Sequence, residues 1–204
     1  MKKLSILFLS FLVIIAAQAQ NDFKKQLGDA RTAYAAGKLD DSRFAMQQML
    51  YELDMITGKE VLKLLPAKMN EQAAVAKLDN VSGASGFTGV IIHREWGKES
   101  KYSDTAANHN IEMEVISNSP MIAAVNGLLS LPLIGNTGDN KVVKIAGYKA
   151  LVTRVDQGDN KYNYDLQLPL NNSLITLKAP GLTQDQVIKL ANTIPVQEIA
   201  KMLQ

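Results

Sequence analysis

The stretch that decides the fold is Lys141 to Gln204. It reads KVVKIAGYKALVTRVD over 141–156, then QGDN, then KYNYDLQLPLNNSLITLKAPG over 161–181, then LTQDQVIKLANTIPVQEIAKMLQ. In the middle segment Tyr162, Tyr164, Leu166 and Leu168 share one parity, while Asn163, Asp165 and Gln167 share the other. Side chains alternate across a strand, so this pattern predicts one buried and one wetted face. The 141–156 run predicts a strand with a bulge at Gly147. Thr183 and Gln186 form a T-x-x-Q capping box ahead of Val187, Ile188, Leu190 and Ala191, and Pro195 predicts a bend before Val196, Ile199, Ala200 and Leu203 resume the apolar stripe. The order is strand, strand, helix.

Upstream, Val90, Ile92, Arg94 and Trp96 alternate with Ile91, His93 and Glu95, and Ile111, Met113 and Val115 alternate with Glu112 and Glu114. Both runs predict strands, the second with an acidic face. Ser119-Pro120 marks a helix start, because a serine oxygen caps free N–H groups and proline fits the first turn. That helix runs to about Ser130. Residues 66–86, ending SGASG, lose periodicity and predict a linker. Before it, Phe23, Leu27, Ala30 and Tyr34 form one helical stripe. A second runs through Met46, Met49, Leu50, Leu53, Ile56, Val61 and Leu64, and Gly58 within it predicts a kink or a split near Thr57. The predicted class is therefore α+β: a helical hairpin over 20–66, a linker over 67–86, and an antiparallel sheet of four or five strands flanked by helices over 87–204.

Residues 1–19, MKKLSILFLSFLVIIAAQA, have two lysines, a short apolar run and a small-residue ending, and so predict a secretory signal peptide cleaved before Gln20. The apolar run is too short for a membrane anchor, which leaves no stable span after cleavage. An exported protein, periplasmic or extracellular, is expected. Without the leader, Lys2 and Lys3 go and the 22 basic and 20 acidic residues become level. A nucleic-acid partner needs a surplus of cations to displace counterions, and this chain has none. There is no cysteine, so no disulfide supports the core.

The run AYAAGKLDDSRFAMQQ, residues 33–48, resembles the turn region of a tetratricopeptide-type helix pair, yet no second copy follows and one repeat cannot bury a solenoid core. Over 87–204 the order of strands and helices, with IAGYKALVTRVD, YNYDLQLPL and LANTIPVQEIAKML, resembles PsbP/Mog1-like domains. That resemblance implies an antiparallel sheet flanked by helices and an accessory or binding role without catalysis. The leader ending Ala-Gln-Ala-Gln is similar to those of small exported proteins of Gram-negative bacteria.

No G-x-S-x-G, phosphate-binding glycine loop or H-E-x-x-H motif is present. His93, Glu95, Glu112 and Glu114 would share one sheet face, which keeps a metal-dependent enzyme as the alternative reading. Trp96, Tyr148, Tyr162 and Tyr164 are candidates for stacking a ring, and equally for cross-strand packing. The leading expectation is a non-enzymatic exported protein without a cofactor. Its longest apolar run, through Met121, Ile122, Val125, Leu128, Leu131 and Ile134, is the candidate surface for an apolar small molecule or an envelope protein.

Overall fold

The computed structural model describes residues 23–83, 89–99, 109–118, 121–130, 139–159 and 161–203. The leader, Ser119-Pro120, Leu131 and Ile134 lie outside the described residues. The chain divides into two compact units, one ending at Asp54 and one running from Met55 to Gln204.

In the first unit, helix α1 (residues 23–35) turns at Gly37, whose φ of +74° suits a residue without Cβ, into helix α2 (Leu39–Leu64). The buried Ser42 hydroxyl donates to the Ala30 carbonyl at 2.9 Å and ties the two helices together. The expected alternative of a split near Thr57 is not seen, since α2 is one uninterrupted 26-residue helix. The expected boundary also moves. Residues 55–64 belong to the sheet unit, because Val61 and then Leu65 are buried in its core.

The second unit carries a two-stranded ribbon, β1 (Lys68–Met69) and β2 (Gln72–Ala73), and a seven-stranded antiparallel sheet. The large sheet comprises β3 (Asn80–Gly83), β4 (Val90–Trp96), β5 (Ile111–Ser117), β6 (Asn140–Ile145), β7 (Tyr148–Asp156), β8 (Tyr162–Pro169) and β9 (Ser173–Lys178). Their spatial order is β3-β4-β5-β9-β8-β7-β6. The decisive stretch thus holds four strands where alternation alone predicts two. Gly147 is no bulge: Ala146 and Gly147, at φ +49° and +93°, make a two-residue hairpin turn with Ile145 facing Tyr148. Asn171-Asn172 turns the second run back, and the Leu170 N–H donates to Ser173 O at 2.7 Å.

The stretch read as a linker is tied in as well. Asn70 and Glu71 both have positive φ and close the β1–β2 turn, Val75 N–H donates to Glu95 O at 2.8 Å, and β3 pairs along β4. Its strands are two to four residues long, too short to show a period.

One face of the sheet carries Ile92, Trp96, Met113, Val152, Leu166 and Leu177, all fully buried. Helices α4 (Gln184–Ala191) and α5 (Val196–Met202) contribute Val187, Ala191, Val196 and Ile199 to the same cluster, and the end of α2 contributes Val61. Thr183 caps α4 as its spacing predicts, with its hydroxyl accepting from Gln186 N–H and Gln186 Oε1 accepting from Thr183 N–H at 2.8 Å. Thr183→Ala is therefore expected to lower stability by about 1 kcal/mol. Urea unfolding reads this directly, and an unchanged midpoint would show that the cap contributes nothing. Among the described residues, the opposite face carries one helix, α3 (Met121–Ser130).

Candidate functional site

The site is built on the face of the sheet that bears α3. Val125 and Leu129 are buried against Leu151 of β7 and Leu174 of β9, with Ile122 and Val142 packed at the margin. These helix positions fall three, four and seven apart, one side of an α-helix. The other side is unusual. Met121, Ala124 and Leu128, spaced by three and four, point outward and are exposed, Met121 at 49% and Leu128 at 39%. α3 has no acid in its first turn and no base in its last, and its sequence MIAAVNGLLS has no charge anywhere. A surface helix ordinarily shows a charged outer face; α3 instead is uncharged all round, with Met121, Ala124 and Leu128 exposed on one flank and Asn126, Gly127 and Ser130 exposed opposite the sheet.

The apolar character continues along the strands. Leu174 lies opposite Ile116, and Ile116 lies opposite Ile91, so all three project to the α3 side, with both isoleucines half-buried. Of the six predicted docking residues, the structure thus brings Ile122 and Val125 onto the sheet and leaves Met121 and Leu128 facing out. Leu131 and Ile134 lie outside the described residues. The contributions of Ile91 and Ile116 were not read from the sequence, although their parity opposite Val90, Ile92 and Val115 was the available signal.

Farther along this face the rows turn polar. Glu95, Glu112, Lys178, Asp165 and Thr153 are opposite one another in succession across five strands, and His93, Glu114, Thr176 and Gln167 form the adjoining row. His93 Nε2 lies 3.1 Å from Glu95 Oε1, whose other oxygen accepts from Asn110 Nδ2 at 2.8 Å. Lys178 Nζ is 4.0 Å from Glu112. The four residues of the metal alternative thus do share one face. Among the described residues, however, no group of three or more His, Cys, Asp or Glu side chains is placed to hold a metal ion.

Burial raises the Asp165 carboxyl above its ordinary value, and the nearby Lys178 ammonium only partly opposes this. With the folded value raised, the folded state holds this proton more tightly than the unfolded chain does. Asp165 therefore imposes a penalty that grows as pH rises from the ordinary aspartate value of 3.8 through the raised folded value. Asp165→Asn is expected to melt higher than the wild type at pH 7, with the gap closing toward pH 4. A lower melting temperature at pH 7 would show that the pairing with Lys178 outweighs desolvation.

The aromatic candidates are dispersed. Trp96 is fully buried and its indole N–H donates to Pro66 O at 2.7 Å, while Tyr148 and Tyr164 pack at the edge of the core. Tyr162 lies under the Arg154 guanidinium, 4.4 Å from the ring centre. His109 lines a groove with Lys161, Tyr162 and Asn163. Among the described residues no helix is long and apolar enough to cross a membrane. Comparison with models of protein families, with curated proteins and with solved structures returns no match.

Proposed function

We propose that this is an exported, non-catalytic binding protein whose α3 face docks onto an apolar surface of a cell-envelope protein. The observation that carries this reading is the exposed flank of α3, where uncharged Ala124 and Leu128 stand exposed on the sheet face that also carries half-buried Ile91 and Ile116. An apolar patch of this kind, rimmed by the His93 and Glu95 rows, has the layout of an interface, with a dry centre and a polar edge. Because these side chains stand exposed on a helix flank, a protein surface suits them better than an enclosed small molecule. The binding role implied by the resemblance to PsbP/Mog1-like domains agrees with this, and the leader supplies the reason to look in the envelope.

Leu128→Asp tests the reading. The side chain is exposed, so the variant is expected to keep wild-type stability to within about 0.5 kcal/mol. It should also lose most of the protein's retention on purified envelope fragments, by about 10-fold or more for a charge placed in an apolar contact. Full retention by the variant, or its unfolding, would contradict the proposal. The metal-dependent alternative is separated by metal content: stoichiometric zinc or manganese that disappears in His93→Ala would favour it.

A further inference from the structure

A second apolar surface lies on the helical hairpin. Leu27 and Tyr34 of α1 are 52% and 66% exposed, and Leu39, Met46, Leu50 and Leu53 of α2 are 64%, 46%, 47% and 47% exposed. These are not scattered. At about 100° per residue, Leu27 and Tyr34 lie roughly 80° clockwise of the line through Gln26, Ala30 and Ala33 by which α1 meets α2. By the same reckoning, Leu39, Met46, Leu50 and Leu53 lie roughly 80° clockwise of the line through Ser42, Ala45 and Met49 by which α2 meets α1. The helices run antiparallel, so both rotations, each viewed down its own helix, lead to the same side of the pair. The hairpin therefore presents six large apolar side chains on one side.

The α2 part of this face, at 46, 50 and 53, has the four-and-three spacing that seats one helix against another. A layer of two helices buries an apolar face only by packing it on another layer. We infer that the other layer is the hairpin of a second copy of this chain, the two meeting face to face as a four-helix arrangement. Two quantities favour a copy over an unlike partner. Residues 23–54 carry five basic and five acidic side chains, so identical hairpins approach without net repulsion. The six side chains offer roughly 600 Å² per copy, and the pair about 1,200 Å², which reaches the range of specific, stable interfaces.

The experiment is a mass measurement in solution over a concentration series on the purified protein. The expected wild-type result is twice the chain mass. Leu50→Glu should sediment as a monomer with unchanged helical circular dichroism, its dissociation constant raised at least about 100-fold. Phe44→Glu, an exposed position on the other side of α2, should remain dimeric. Should Leu50→Glu lose helical signal, Leu39→Glu, at the most exposed of the four α2 positions, repeats the test. A wild-type protein that stays monomeric at concentrations on the order of 100 μM overturns the inference and assigns the face to an unlike partner. Dimers that survive both glutamate variants, or that Phe44→Glu breaks equally well, overturn it too.

Discussion

Asp79→Ala is expected to destabilise the sheet unit by about 3–5 kcal/mol, the largest effect of any single substitution considered. Arg94 sits on β4 at the parity of Ile92 and Trp96, so its side chain projects to the core side of the sheet. Its guanidinium is held bidentately, Nη2 to Asp79 Oδ2 at 2.6 Å and Nε to Asp79 Oδ1 at 2.9 Å, and the two side chains are only 13% and 14% exposed. Nη1 also donates to Leu65 O at 3.1 Å, one of the carbonyls left without a partner where α2 ends. Removing the carboxylate leaves a largely buried cation without its counter-charge. The double variant Asp79→Ala/Arg94→Met should recover most of the loss, because no buried charge remains. Urea unfolding of the three proteins decides it. A loss below about 1 kcal/mol in Asp79→Ala would place the pair in the category of weak surface bridges.

Gly58→Val is expected to cost about 2–3 kcal/mol. A Cβ at this position would meet Val81 Cγ1 at 2.6 Å and Val90 Cγ2 at 2.7 Å, and both belong to stiff β-branched side chains on paired strands. The glycine is there because α2 crosses β3 and β4 too closely for any side chain. Gly58→Ala should fall between, since a gain of up to about 1 kcal/mol in helix propensity offsets part of the clash. If the valine variant melts with the wild type, α2 does not approach these strands as described.

The sequence made the fold class legible wherever elements are long and one-sided. The alternation of β4 and β5, the Thr183 box and the Pro195 break each predict what the structure shows, because local chemistry decides them. It was less informative where a turn hides inside an unbroken pattern. Ala146-Gly147 and Asn171-Asn172 reverse the chain while the apolar alternation runs on either side, so two hairpins read as two strands. Gly58 misled for a related reason: propensity sees a helix weakener, whereas the residue serves a contact with Val81, more than twenty residues away. In the candidate site, the apolar run at 121–129 was plain. Which half of it faces out depends on Leu151 and Leu174, which no local pattern links to it.

The most direct test of the central claim uses the absence of cysteine from the chain. A single thiol can be placed at Leu128 or at Val125 and its rate of alkylation followed in the native protein. The account predicts that Leu128→Cys reacts quickly in the isolated protein and is protected when envelope fragments are added, while Val125→Cys, 3% exposed on the sheet side of α3, stays slow throughout. A slow Leu128→Cys in the isolated protein, or one that reacts equally fast with envelope fragments present, would contradict it.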